Sequence, residues 1–140
     1  PTPEGAREGV QRGLTFLKEH WAYLLPELTW VLDLCFAWKA AEEGREVVML
    51  GGDIHVGVES WIADSETKLT IKHVTTSPIT NAVSKFFNPL EGRLTERYSY
   101  THKVLEGSAY NYCALNLMLQ EDGVTVEADI SLVSISEPSK

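Results

Sequence analysis

Apolar positions at helical spacing dominate the first third of the chain. Val10, Leu14 and Leu17 recur along residues 4–20 and predict an amphipathic helix there. A second helix is predicted over 27–43, after Pro26, and Gly44 supplies its stop. This second helix is apolar on nearly every side, so we expect it to be covered on more than one side.

Strand patterns follow the predicted helices. The continuous apolar run at 47–51 predicts a strand that is buried on both faces. Alternating patterns predict two further strands, at 54–62 and 68–76. Residues 88–108 are polar and contain glycine, which predicts a long connection of the kind that is often functional.

The last third carries the clearest strand pattern. It predicts strands over 110–119 and 124–135, joined by a turn at Glu121-Asp122-Gly123. Strict alternation of apolar and polar residues along the strand predicted over 124–135 indicates one buried and one solvent-exposed face. Together the elements predict an α/β (α+β) fold, with N-terminal helices packed on a mixed, largely antiparallel sheet.

Composition narrows the class of protein. A chain of 140 residues and 15.6 kDa predicts a single domain over 1–140. Twelve Lys and Arg against 20 Asp and Glu give a net charge of −8, which argues against nucleic-acid binding. No run of apolar residues is long enough to predict a membrane span. Cys35 and Cys113 lie in apolar stretches and are expected to be free, buried thiols.

The start of the sequence also bears on the class of protein. No signal-peptide pattern is present, which together with free thiols favours a cytoplasmic location. Because the chain begins at Pro1 rather than Met, we expect it to be a piece of a longer protein.

The segment Gly51-Gly52-Asp53-Ile54-His55 carries the strongest chemical signal. It directly follows a predicted strand, where ligands gather in open α/β sheets. On extended backbone Asp53 and His55 would point to one face, roughly 6–7 Å apart. A carboxylate and an imidazole suit a divalent metal or phosphate-ester chemistry. The alternative is an Asp that caps a turn and a His that is satisfied internally.

Residues 47–57 resemble the last metal-binding motif of PhoD-like phosphatases, in the calcineurin-like metallophosphoesterase superfamily. Three further segments agree with that family in order and spacing: Glu19-His20-Trp21 with Glu27, Thr75 to Asn81, and Tyr110-Asn111-Tyr112. The resemblance covers roughly residues 19–133. It implies a two-sheet sandwich with a two-metal site, in which divalent ions bind the phosphate and activate water.

The resemblance also implies roles for individual residues. His55 matches a metal-ligand histidine of the family. Asp53 occupies a position where many superfamily members have a second histidine, so it is either a ligand or a residue that orients one. Both are the candidate catalytic and metal residues.

Three other residues are candidates for substrate binding. Thr76 and Ser77 either line the pocket or cap the end of a strand. His102, in the predicted polar connection, either faces a phosphate or belongs to a solvated loop. His73 is interpreted as an ordinary strand residue.

The rest of the family's metal-binding pattern is missing. Apart from Asp53-Ile54-His55 itself, the motifs D-x-H, G-D-x-x-D and G-N-H-[DE] do not occur in the sequence. One His and one Asp cannot hold two metal ions with useful affinity. We therefore expect the carboxy-terminal part of a metal-dependent phosphoesterase, inactive and without bound metal by itself. The metal ions of the complete protein and its phosphate-ester substrate are not specified by the sequence.

The expected partner is the missing N-terminal half of the phosphatase domain. Without that half an apolar sheet face would be uncovered, so the isolated chain is also expected to form a homo-oligomer. The alternative interpretation is a non-catalytic binding or assembly module derived from a phosphatase fold.

Overall fold

The computed structural model describes residues 24–52, 55–76, 90–105 and 110–135. These ranges contain one helix and seven strands, so the protein is of mixed α/β class, as predicted. The helix predicted over 4–20 lies outside the described residues. The chain forms two compact units, Pro1–Arg45 and Glu46–Lys140, each of which is described by itself.

The helix of the first unit is α1 (Leu25–Ala40), close to the predicted 27–43. Pro26 lies in its first turn, where the fixed φ of proline suits the helix and no backbone donor is lost. One face buries Leu28, Leu32 and Phe36, each four residues apart. The opposite face has a second apolar stripe, in which Trp30 is 63% exposed. The expected cover over that side is therefore not found among the described residues.

The second unit contains a five-stranded sheet in the order β1-β3-β2-β5-β4. Its strands are β1 (Val48–Gly51), β2 (Val58–Asp64), β3 (Thr70–Thr75), β4 (Glu91–Arg93) and β5 (Tyr98–Val104). β1 pairs with β3 in parallel, and the other pairs are antiparallel. The sheet is thus mixed and largely antiparallel, as predicted.

One face of this sheet is called the core face below, and it is defined by the alternation of buried and half-buried residues along β2. Val58, Ser60, Ile62 and Asp64 are all buried, and the residues between them are half-buried. Because facing residues of paired strands share a face, the partners of Ser60 on β3 and β5 also lie on the core face.

The predicted connection over 88–108 is wrong, because β4 and β5 lie within it. In β5 the side chains of Tyr98, Tyr100 and His102 lie on the core face and alternate with small or charged residues. Because these core-facing side chains carry polar atoms, the hydrophobicity of the sequence does not reveal this alternation. His102 is therefore a strand residue and not part of a loop.

The prediction that residues 47–51 are buried on both faces is also wrong. Within the described ranges β1 pairs with β3 alone, so it lies at an edge of the sheet, and Leu50 is 55% exposed. The strand predicted over 54–62 begins later, at Val58.

The second sheet is a hairpin of β6 (Tyr110–Leu119) and β7 (Val126–Ile135). In its turn, Asp122 accepts hydrogen bonds from the Val124 and Thr125 amides and from the Thr125 hydroxyl. The Thr125 hydroxyl is the main cause of the lowered pKa of Asp122. Contrary to prediction, burial does not alternate along β7, whose first four residues are all exposed, because two strands alone provide little cover.

Candidate functional site

The candidate site lies at the edge of the sheet where β1 and β3 both end. Because the two strands are parallel, Gly51 and Thr75 face each other at their carboxyl ends. The Thr76 amide donates to the Gly51 carbonyl at 3.0 Å, which extends the pairing by one residue. A Cβ on Gly52 would lie 3.1 Å from the Thr76 carbonyl oxygen, so a glycine allows the close approach. This is the edge at which α/β sheets bind ligands.

His55 lies between the end of β1 and the start of β2 and is half-buried. Its φ of 58° is in the left-handed region, which few residues other than glycine adopt. The expectation that extended backbone would direct Asp53 and His55 to one face is therefore wrong at His55. Asp53 itself lies outside the described residues. Histidine adopts this region more often than most residues, and Lys68 adopts it in the turn after β2, so the conformation by itself does not mark a functional site.

Of the predicted substrate-binding residues, Thr76 and His102 are described and Ser77 is not. The Thr76 hydroxyl donates to the Asn111 carbonyl at 3.4 Å, so this side chain connects the strand end to β6. His102 lies two residues before the end of β5, which runs toward the same edge. Its Nδ1 is 2.7 Å from Ser60 Oγ. The sheet therefore brings His102 toward the edge, on the core face rather than on a loop.

His73 is a residue of this site that the sequence did not reveal. It lies on β3 opposite Ser60, which in turn faces His102 on β5, so the three form one row across the core face. The Nε2 atom of His73 is 3.4 Å from Thr75 Oγ1. A Cβ on Gly51 would lie 2.9 Å from the same nitrogen. The imidazole thus packs directly against the last residue of β1.

Burial determines the charge state of both histidines. It lowers the pKa of His73, and it lowers the pKa of His102 together with the proximity of His73. Both imidazoles are therefore neutral at pH 7, each with one donor and one acceptor nitrogen. Ser60 is 3% exposed, so its hydroxyl holds His102 in place and is not accessible as a nucleophile.

The donor set for a metal ion is incomplete in the described part of the chain. Within 24–52, 55–76, 90–105 and 110–135, no three His, Cys, Asp or Glu side chains come together in a way that could hold a metal ion. Of the two predicted metal ligands, His55 is the one that the structure describes. This part of the chain can therefore supply at most a share of a two-metal centre.

A charged centre away from the candidate site, formed by Asp64 and Arg97, holds the β2–β3 turn. Arg97 donates through Nε and a terminal nitrogen to both oxygens of Asp64, at 2.8 and 2.7 Å. The Glu66 amide and the Thr67 hydroxyl donate to the same carboxylate. Arg97, as the largest cause, holds the pKa of Asp64 well below its ordinary value. This centre lies at the opposite end of β2 from His55 and stabilises the sheet.

Comparisons with protein-family models, with curated proteins and with solved structures found no match to this chain. Among the residues that the structure describes, no helix is long and apolar enough to cross a membrane.

Proposed function

We propose that this chain is the carboxy-terminal part of a PhoD-like metal-dependent phosphoesterase, with the two-sheet sandwich of the metallophosphoesterase superfamily when complete. The sequence resemblance over residues 19–133 motivates the proposal. The mixed α/β architecture and the two separate sheets of the second unit are compatible with it.

The observation that carries the proposal is the position of the glycine-rich motif. Gly51 ends a strand that is parallel to its neighbour and Gly52 follows it, and His55 comes three residues later, at the same edge as Thr76. A phosphate ester needs room for close approach to the backbone and donors that converge on its oxygens. Glycines at a strand end provide that room, and the His55 imidazole is a polar group at the same edge. The Thr76 hydroxyl already donates its proton to the Asn111 carbonyl.

The residues present fit one side of a metal centre but not a whole one. His55 would be a ligand in the complete protein, and Asp53 would bind or orient a ligand. The other ligands would have to come from the missing half of the domain, because the described residues hold no group of three donors. A divalent ion bound there would activate water and polarise the phosphate.

The upstream coding sequence tests this proposal directly. We expect an open frame that continues upstream of Pro1 and encodes the motifs G-D-x-x-D and G-N-H-[DE]. The complete product should hydrolyse bis(p-nitrophenyl) phosphate with added Mn²⁺ and lose that activity with EDTA. A frame that lacks these motifs, or a complete product without metal-dependent hydrolysis, would contradict the proposal.

A second candidate function, a non-catalytic binding or assembly module, is favoured by the β6–β7 hairpin. One face of the hairpin carries apolar cross-strand pairs: Leu115 with Ile130, Leu117 with Ala128 and Leu119 with Val126. Leu117 and Leu119 are 61% and 65% exposed. An apolar face of this kind usually marks an interface. If the open reading frame begins only just upstream of Pro1, this candidate replaces the phosphoesterase.

A further inference from the structure

Ser60 and His102 form a hydrogen-bonded pair on the core face, between β2 and β5. The two residues face each other in register, and Ser60 Oγ lies 2.7 Å from His102 Nδ1. Ser60 is buried, whereas His102 is half-buried. The ring of Tyr100 lies against the imidazole, with 4.6 Å between the ring centroids. A hydrogen bond and a ring contact therefore both hold the imidazole in place.

The burial of Ser60 decides which atom of this pair donates. A buried hydroxyl whose proton has no acceptor costs the full desolvation of that group. Among the residues that the structure describes, the hydrogen-bond partner of the Ser60 side chain is His102 Nδ1, so the hydroxyl donates its proton to that nitrogen. Burial lowers the pKa of His102, and the ring is neutral at pH 7 with a single proton. Because Nδ1 accepts, that proton is on Nε2.

The pair lies one row inside the edge that carries the candidate site. At that edge Val58, the first residue of β2, faces both Thr75 on β3 and Val104 on β5. Ser60 and His102 form the next row on the same face, about 7 Å further along the strands. Nε2 is the ring nitrogen farther from the backbone. Once Nδ1 is engaged by Ser60, the donor that the imidazole offers is therefore the Nε2–H group.

We infer that Ser60 is a positioning residue of the candidate site: its hydroxyl fixes His102 in the Nε2–H tautomer, in which the neutral imidazole donates a hydrogen bond to a phosphate-ester oxygen. The inference rests on the proposed function, which supplies the phosphate ester. A histidine whose second nitrogen is engaged by a neighbouring group has a fixed tautomer. Since one hydrogen bond changes binding by up to about tenfold, the pair should affect substrate binding more than the chemical step.

The tautomer of His102 is measured on the 140-residue chain by long-range ¹H–¹⁵N NMR of the imidazole nitrogens near neutral pH. We expect a protonated Nε2 and an unprotonated Nδ1. Ser60→Ala should move the Nδ1 resonance and mix the two tautomers. Ser60→Thr, which keeps the hydroxyl on a residue that suits a strand, should retain the wild-type pattern. Ser99→Ala, on the opposite face of β5, is the matched control and should leave the pattern unchanged.

The wild-type spectrum decides the tautomer even if Ser60→Ala does not fold. A protonated Nδ1 in the wild-type chain would overturn the inference. An unchanged pattern in a folded Ser60→Ala chain, or the same change in the Ala and Thr variants, would overturn the role of Ser60.

In the complete protein the donor role predicts a change in KM. His102→Ala should raise KM for bis(p-nitrophenyl) phosphate about tenfold and change kcat by less than about twofold. Ser60→Ala should raise KM about threefold, and it should add nothing in a His102→Ala background because Ser60 acts through His102. Additive effects, or a wild-type KM in His102→Ala, would overturn the donor role. If the wild-type complete protein hydrolyses no phosphate ester, the proposed function fails and the donor role fails with it, while the NMR measurement still decides whether Ser60 fixes the tautomer.

Discussion

Replacing Asp64 by asparagine should destabilise the protein strongly, although Asp64 lies far from the candidate site. The carboxylate is fully buried and accepts four hydrogen bonds, two of them from Arg97. Asparagine keeps the size but presents an NH₂ group to a donor and removes the charge. The change therefore leaves the Arg97 guanidinium without its buried partner.

The size of the effect follows from the exposure of the two partners. Breaking a fully buried ion pair costs about 3–5 kcal/mol. Arg97 is 30% exposed and keeps Glu66 at 3.2 Å, so it can regain part of its solvation. We therefore expect the lower end, about 3 kcal/mol, for Asp64→Asn. With a urea m-value of about 2 kcal/mol/M, the unfolding midpoint should fall by about 1.5 M.

Urea unfolding followed by circular dichroism measures this difference. Asp129→Asn, an exposed carboxylate on β7, is the matched control and should change stability by less than about 0.5 kcal/mol. Should Asp64→Asn unfold at the same urea concentration as this control, the reasoning about the buried pair would be refuted.

The same pair predicts a dependence of stability on pH. The folded-state pKa of Asp64 is held below its unfolded-state value of about 3.9. The contribution of the carboxylate is therefore fully present above that value and is lost as the pH falls through the folded-state pKa. The wild-type advantage over Asp64→Asn should be constant above about pH 5 and shrink below about pH 4. An advantage that persists undiminished at pH 2 would contradict this sign.

The remaining predictions concern the metal, the motif and the oligomeric state. The purified 140-residue chain should bind no stoichiometric transition metal and hydrolyse no simple phosphodiester; two ions per chain together with turnover would contradict this. In the complete protein Asp53→Asn should reduce kcat less than loss of His55 does, because an orienting residue matters less than a ligand. The chain should form a two-fold dimer through the apolar hairpin face, and Leu117→Lys should make it monomeric by light scattering. A monomeric wild-type chain would contradict that prediction.

Local patterns predicted the elements whose signals lie within a few residues. The bounds of helix α1 lie within three residues of the predicted ones, and the β6–β7 hairpin has the turn that Asp122-Gly123 indicates. Burial was not predictable in the same way. Leu50 is exposed because β1 lies at a sheet edge, which depends on strand order and not on the apolar character of the run.

Only part of the candidate site was predictable, because the rest depends on contacts between residues that are distant in the sequence. His55 and Thr76 follow strand ends, and the parallel pairing of β1 with β3 brings those ends together. The contribution of His73 depends on register with Ser60 and on a contact with Gly51, which is 22 positions away in the sequence. Hydropathy along a single strand contains no information about either. The positive φ of His55 likewise comes from the path of the loop and could not be inferred from residue type.

The most direct test of the proposed function is the activity of the complete protein with His55→Asn. Asparagine tolerates the left-handed backbone at this position, so the loop should keep its course while the imidazole is lost. We expect kcat/KM for bis(p-nitrophenyl) phosphate with Mn²⁺ to fall by about a thousandfold or more, because several kcal/mol of metal-dependent stabilisation is lost. The unfolding midpoint should stay within the range of the Asp129→Asn control. Full metal-dependent activity in a folded His55→Asn protein would contradict the assignment of this site.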